Sequence, residues 1–341
     1  MSGISRLIRS ATLYGYAELA ESLGLNSAAQ LRRAGLSLSM LQEPDYPIRL
    51  DAACALLESS STASKLDDFG LRLAARRRLA NLGAVSVVLR EEPSGLAALQ
   101  TLCRYLQLVN PSLVTRVDES GDFIVIREEL LTDAPVPVRQ STDMAVGVMH
   151  GILRELLGNG WRARRVCFSH RPPQDSSFAK KLFACPLEYN ADFNGIVCLR
   201  SDLIIELPGR DAVLARYAQT ALDKALAQAP QGTAAHVRQL VAVLLPQGRC
   251  TADQLAELLG VDRRTLHRHL AREGLTFSRV MQSVRKDLVA RQLRDSDRSV
   301  REIAHLLGFA SSSALAHWFR LHHGQSVQQW RVAAQNHVQQ P

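Results

Sequence analysis

Val300-Arg301-Glu302-Ile303-Ala304-His305-Leu306-Leu307-Gly308-Phe309, followed by Ala310-Ser311-Ser312-Ser313-Ala314-Leu315-Ala316-His317-Trp318-Phe319-Arg320, reads as two short helices joined by a turn. An earlier stretch repeats the pattern: Thr251-Ala252-Asp253-Gln254-Leu255-Ala256-Glu257-Leu258-Leu259-Gly260-Val261, then Asp262-Arg263-Arg264-Thr265-Leu266-His267-Arg268-His269-Leu270. Leu255 matches Ile303, Ala256 matches Ala304 and Gly260 matches Gly308 at an offset of 48 residues. After the turn the offset is 49, Leu266 matching Leu315 and Leu270 matching Phe319, so the second turn is one residue longer. A lone Leu-Ala-x-x-x-Gly stretch fits many helical hairpins. Two in register, each followed by a polar-faced helix, point to a tandem helix-turn-helix that occupies two successive major grooves.

The residue types follow from packing. A small side chain at Ala256 or Ala304 lets two helices cross closely. Glycine at 260 and 308 suits a helix end that turns through positive φ. Val261 and Phe309 are expected to plug the core beneath the turn. Leu266 with Leu270, and Leu315 with Phe319, lie four apart and share the buried face of the second helix. Arg263, Arg264, His267 and Arg268 are left outward in the first unit. Ser312, Ser313, Ala316, His317 and Arg320 are left outward in the second. Charge gives an independent line. From residue 230 onward there are 15 Lys+Arg against 8 Asp+Glu, whereas the first 229 residues hold 26 against 25. Nearly all of the net charge of +8 therefore sits in the last third, where phosphates would need neutralising.

These residues resemble a known family. The last hundred or so are similar to the DNA-binding domain of AraC/XylS-type bacterial transcription regulators, on Ile303-Ala304, Gly308-Phe309, Ser313, Phe319-Arg320, Gly324, Ser326 and Trp330-Arg331. The family usually has proline where Val327 stands. It also usually has an aromatic, a small residue and arginine where this chain has Leu315, Ala316 and His317. The histidine removes a bidentate guanine contact from the second unit. In the family one long helix joins the units, and Phe277–Leu293 fits it, with Val280, Val284, Leu288 and Leu293 apolar. Asp295-Ser296-Asp297 ends that helix, and Ser299 with Glu302 makes a capping box for the next. The resemblance implies base contacts from Arg264, His267 and Arg268 in the first unit and from Ser313, Ala316 and His317 in the second. It implies phosphate contacts from Arg263, Arg285 and Arg320. Arg268, midway along its helix, is the foremost base reader.

The rest of the chain is long enough for a domain with its own core. Residues 11–110 read as mostly helical, with stripes such as Leu13, Tyr16, Ala17 and Ala20. After Asn110-Pro111 the pattern changes: strands at Phe123–Ile126, Arg164–Ser169, Leu187–Tyr189 and Ile196–Leu199, with helices at Met144–Leu157 and Phe178–Ala184. That order, β-α-β-α-β-β after a run of helices, means α+β. A helix at Ala212–Leu226 closes the region. It is either a dimer face or, as is commoner for an apolar stripe, intramolecular packing. A Pro/Gly/Gln-rich stretch, Ala227–Thr233, separates all this from a helix at Ala234–Leu245. Residues 10–210 resemble, diffusely, the regulatory domain of the ornithine-utilisation regulator-like branch of the same family. The matching residues are Leu156-Leu157-Gly158, Trp161, His170-x-Pro172-Pro173-x-Asp175, Phe178, Phe183, Cys185-Pro186-Leu187, Asn190 and Asn194. The resemblance implies ligand binding and dimerisation. His170 either contacts a ligand or, more simply, hydrogen-bonds across the Pro-Pro loop. Arg139 and Arg154 either grip an effector carboxylate or are solvated.

Enzyme motifs are lacking. Six cysteines, at 54, 103, 167, 185, 198 and 250, include no Cys-x-x-Cys pair, and no phosphate loop, Gly-x-Ser-x-Gly elbow or dinucleotide fingerprint is present. Cys250 beside Arg249 is the one cysteine in a basic stretch that an alkyl-transfer enzyme would want. Free cysteines imply a reducing compartment. With no signal peptide and no apolar run of about 20 residues, the expectation is a cytoplasmic protein without a membrane partner.

The expected architecture is multidomain. An α+β regulatory domain at 1–226, for effector binding and dimerisation, is helical over 10–110 and β-rich over 120–205. A linker at 227–233 leads to an all-α tandem helix-turn-helix domain at 234–341, with units at 251–272 and 299–323. Expected partners are double-stranded promoter DNA, RNA polymerase, an unidentified small-molecule effector and a second copy in a homodimer. No cofactor, metal or catalytic residue is expected. The expected role is an effector-controlled regulator, an activator; the alternative is a ligand-independent repressor or architectural protein whose N-terminal domain only dimerises.

Overall fold

In the computed structural model, which describes residues 6–132, 136–207, 212–229, 232–248 and 250–339, contacts divide the chain into two units. The first holds the residues up to Phe168, Pro172–Glu188 and Asn194–Ala229. The second holds the rest, including Ser169–Arg171 and Tyr189–Phe193, two short loops that lie within the expected N-terminal domain 1–226. Part of the expected 227–233 linker, residues 230 and 231, lies outside the described residues.

The first unit is built on the strands β1 (Leu7–Arg9), β2 (Pro47–Arg49), β3 (Leu113–Ser120), β4 (Phe123–Leu130), β5 (Arg165–Cys167), β6 (Leu187–Glu188) and β7 (Asn194–Leu199). β1 and β2 pair by themselves, antiparallel. The others form one sheet in the order β3-β4-β7-β5-β6, antiparallel except for β5 with β6. The strands near 123, 165, 187 and 196 stand where the apolar alternation puts them. β3 and the β1–β2 pair were not expected: β3 (Leu-Val-Thr-Arg-Val-Asp-Glu-Ser) is an edge strand with polar residues on both faces, so its period of two carries no hydrophobic signal.

Helices Leu50–Ser64, Phe69–Ala74, Gly95–Val109 and Arg139–Leu157 supply most of the remaining core. The last begins five residues before the expected Met144, because its first turn is polar yet buried and so looks like a loop in sequence. Gln140 satisfies three partners there. Its Oε1 accepts from the Gly70 amide (2.8 Å), its Nε2 donates to the Asp67 carbonyl (2.9 Å) and its amide donates to Glu58 Oε1 (2.8 Å). Gly70 lets the two helices meet, since a Cβ added there would lie 2.0 Å from the Gln140 carbonyl oxygen. The helix Ala212–Gln228 packs against Ala84–Arg90 and Gly95–Val109, with Tyr105 donating to Asp223 (2.5 Å), while Val213, Leu214 and Tyr217 are exposed.

His150 sits in this core between Trp161 and Phe183, with ring centroids at 5.5 and 5.0 Å. Burial, then Arg154 and Arg162, pushes its pKa down to about 4, so the folded protein keeps it neutral. The unfolded chain takes up a proton below about pH 6.5, so stability is full above that pH and falls as pH drops toward about 4. The loss is on the order of 3 kcal/mol. Urea titrations of the full-length chain at pH 7 and 4.5 should show His150→Gln losing distinctly less stability on acidification than the parent. Equal losses would remove His150 as a source.

The second unit is all helical: Thr233–Leu244, Ala252–Leu258, Arg263–Arg272, Phe277–Asp295, Val300–Leu306, Ser312–His323 and Val327–Gln339. Val237, Val241, Leu255, Leu266, Leu270, Val289, Ile303, Leu315 and Phe319 are its most deeply buried apolar side chains. The loops assigned to this unit anchor on the end of the long helix. Arg171 donates to the Arg294 carbonyl (2.7 Å), and Arg298 donates to the Asn190 carbonyl (2.7 Å) and to Asp192 (2.6 Å). His170 donates from Nδ1 to the Arg171 carbonyl (2.7 Å) and packs on Tyr189.

Candidate nucleic-acid interface

Each helix of the two helix-turn-helix pairs starts on a side-chain cap. Thr251 and Gln254 form a reciprocal box, Thr251 Oγ1 accepting from the Gln254 amide (3.2 Å) and Gln254 Oε1 from the Thr251 amide (3.1 Å). Ser299 and Glu302 do the same at 3.2 and 2.7 Å. Asp262 accepts from the Thr265 amide (2.7 Å) and Ser311 from the Ala314 amide (3.1 Å), opening the second helix of each pair. Those hydrogen bonds hold the Asp262 carboxyl below its usual range. Gly260 and Gly308 take φ of +65° and +70°, the left-handed turn that ends each first helix.

The caps and buried leucines orient the second helices. In Arg263–Arg272, Leu266 and Leu270 are buried while Arg263, Arg264, His267 and Arg268 are exposed. In Ser312–His323, Leu315 and Phe319 are buried while Ser313, Ala316, His317 and Arg320 are exposed; Ser312 is half-buried. Arg263 pairs with Asp253 at 3.3 Å. Phe319 is sealed by His323 stacked at 4.2 Å and by Trp330 edge-on at 5.6 Å. Val327, buried in the usual place of proline, is the first helical residue after the Ser326 cap, a position where proline is favoured but not required.

Two positions differ from expectation. Val261 and Phe309 are half-buried rather than buried plugs. Phe309 instead lies edge-on to Trp318 (5.2 Å) and carries the guanidinium of Arg285 over its ring (5.0 Å). Arg285, expected to touch phosphate, packs across the second turn, with its Nε buried and its pKa lowered by burial. The sequence shows only that Arg285 lies on the polar side of its helix; the aromatic beside it comes from another element.

The first unit holds a narrow, partly open cavity of about 70 Å³. Leucine, isoleucine, valine and methionine dominate the wall; Arg77 and Glu128 are the charged residues in it. Arg139 and Arg154 are not part of the lining. Arg139 faces Asp67 at 3.7 Å and Arg154 donates to Asn159 at 3.4 Å. Glu128 had a signal in sequence: in Phe123–Leu130 it shares the inward face with Ile124, Ile126 and Leu130.

All six cysteines are free thiols. Burial pushes Cys250 up to about 12 and its Sγ lies 3.9 Å from Met281 Sδ, which makes it a poor nucleophile. Its sequence neighbour Arg249 lies outside the described residues. Among the described residues no group of three or more His, Cys, Asp or Glu is placed to hold a metal, and no helix is long and apolar enough to cross a membrane.

Residues 24–206 match the family described as the arabinose-binding domain of AraC transcription regulator, N-term, and residues 255–333 match a helix-turn-helix domain. The chain is similar to the HTH-type transcriptional regulator VirS of Mycobacterium tuberculosis, 28% identical over 96% of this chain and 97% of that one. It is also similar to the ornithine utilization regulator of Pseudomonas aeruginosa, 26% identical over 55% of this chain and 56% of that one. The urease operon transcriptional activator of Escherichia coli is 32% identical over 26% of this chain and 29% of its own. These relatives are transcription regulators, not enzymes. The chain belongs to the AraC family of transcription regulators, with an arabinose-binding-type N-terminal domain ahead of its helix-turn-helix DNA-binding domain.

Proposed function

We propose that the chain is an effector-controlled activator that reads a two-block promoter site through its paired helix-turn-helix units. The observation that carries the reading is the outward face of the two second helices, where every residue expected to touch a base is exposed above a buried apolar face. Arg264, His267 and Arg268 read bases in the first block, and Ser313, Ala316 and His317 in the second. Arg285 packs on Phe309 and, with Arg263 and Arg320, contacts phosphate. The joining helix, 19 residues and so about 28 Å long, sets a fixed spacing that suits grooves one turn, about 34 Å, apart.

The N-terminal unit, residues 1–226 with the linker after it, binds the effector and pairs two copies into a homodimer. The ligand acts by binding DNA-competent and incompetent arrangements unequally. Its cavity favours a ligand-binding role over the ligand-independent repressor or architectural alternative, which needs no such space. Contact with RNA polymerase and a cytoplasmic location complete the proposal. An activating role has support in the name of the urease operon relative.

The test is selection of bound DNA from a random pool with the full-length protein and with Arg268→Ala. Two blocks about one helical turn apart should emerge. The variant should degrade one block only, at a cost of about 1–3 kcal/mol. Enrichment of a single block, or uniform weakening across all sequences, would remove the base-reading role of Arg268.

A further inference from the structure

The cavity of the first unit carries an inference about chemistry. Its walls come from the first helices, from Gly95–Val109, from the sheet and from Arg139–Leu157, and most of the side chains are aliphatic. The cavity volume is about 70 Å³, so the space is narrow. A polyhydroxylated sugar needs several polar partners at once, and the wall offers only Thr12, Arg77, Asn110, Glu128 and Ser141. Ser141 already donates to Cys54 Sγ (3.4 Å).

The two charged residues are incompletely satisfied. Arg77 donates from one terminal nitrogen to the Thr12 carbonyl (2.6 Å), yet its Nε is buried without a partner. Burial and the nearby Arg9 lower its pKa to about 10, which marks a guanidinium with no counter-charge. Glu128 is only 3% exposed; Oε1 accepts from Thr115 at 3.3 Å and Oε2 has no partner. Burial pushes it up to about 8, which favours the protonated carboxyl at neutral pH and leaves Oε2 free to donate to a ligand. A buried cation lacking an anion costs stability unless something supplies the anion. A carboxylate matches a guanidinium in charge and in its fork geometry.

We propose that this cavity binds a slender aliphatic carboxylic acid, with the carboxylate on Arg77, the hydrocarbon chain along the leucine-rich wall, and the Glu128 carboxyl donating to a hydroxyl or keto oxygen on that chain. The proposal rests on the reading of this unit as an effector domain and names the effector's chemical class. It departs from a sugar ligand, which the family description would lead one to expect.

The test uses the full-length protein, with calorimetric titration and thermal unfolding as readouts. The probes are decanoate, 3-hydroxydecanoate, 10-hydroxydecanoate, decanol and L-arabinose. Decanoate should bind and raise the unfolding temperature, and decanol should bind at least tenfold more weakly. One of the hydroxydecanoates should bind tighter than decanoate. Arg77→Met should lose decanoate affinity by about tenfold to a hundredfold, the range for a hydrogen bond to a charged group, while its affinity for decanol is unchanged. Glu128→Gln should fold, and should still bind decanoate but lose the preference for the hydroxy acid. Binding of arabinose without decanoate, equal affinity for decanoate and decanol, or an Arg77→Met chain that binds decanoate like the parent would overturn the site. Titrating DNA into the decanoate-saturated protein is a separate readout. Unchanged DNA affinity there leaves the site standing and removes only the effector-control reading.

Discussion

Replacing Gly195 by alanine should destabilise the first unit by about 3–5 kcal/mol, near the upper end for a single methyl group. Gly195 lies on β7 between β4 and β5, paired with Arg127 on one side and Cys167 on the other. An added Cβ would stand 1.9 Å from the Ile126 carbonyl oxygen, and the backbone there has φ of +151°, a conformation other residues rarely adopt. The atom in the way is backbone in the neighbouring strand, so no rotamer change relieves the clash; the strands must separate and lose ladder hydrogen bonds. Gly121 is the control. Its φ is +58° with nothing within 4 Å of an added Cβ, so Gly121→Ala bears only the backbone cost of about 1 kcal/mol. Urea unfolding of both full-length variants decides the point. If Gly195→Ala loses no more than Gly121→Ala, the close approach of β4 and β7 does not exist.

The second large effect concerns the reader. Phe319→Ala should cost about 3–5 kcal/mol of folding stability and should remove the second block of the DNA site altogether. Phe319 is fully buried, between stacked His323 and edge-on Trp330, and with Leu315 it fixes which way Ser313, Ala316 and His317 point. Without the ring the second helix has no fixed rotation about its axis, and its outward residues no longer meet the groove together. Affinity for a two-block site should fall about 100-fold or more, equivalent to roughly 3 kcal/mol, with the first block still recognised. Phe319→Leu keeps most of the volume and should cost less than about 1.5 kcal/mol. Titration of both variants against two-block and single-block DNA measures the difference. Wild-type affinity for the two-block site in Phe319→Ala would show that the buried ring does not organise this helix.

Much of the second unit is legible in the sequence, because its signals are local. Gly260 and Gly308, the Ser299–Glu302 box, and the four-residue spacing of Leu266 with Leu270 and Leu315 with Phe319 each act within a turn or two of chain. Thr251 with Gln254 and the Asp262 cap carry the same kind of signal and were equally readable. Arg285 was not: helix periodicity shows that it points away from the apolar stripe, but the Phe309 ring that captures it arrives from 24 residues later in the chain.

The same distinction holds in the first unit. Alternation along Phe123–Leu130 and Asn194–Leu199 marks strands, whereas strand order, the pairing of β4 with β7 and the close approach at Gly195 depend on residues some 70 positions apart. The first turn of Arg139–Leu157 looked like loop because Gln140 and Ser141 are polar, and only their partners on Glu58, Asp67, Gly70 and Cys54 make burial affordable. Arg77 and Glu128 stand 51 positions apart and come to one cavity only when helices and sheet close around it. By itself, then, the sequence determined the tandem helix-turn-helix, which residues its second helices turn outward and the α+β character of what precedes it, since period, caps and turn glycines act over a few residues. Only the tertiary structure decided which charges are buried together and which strands touch, because those are properties of pairs that the chain brings together on folding.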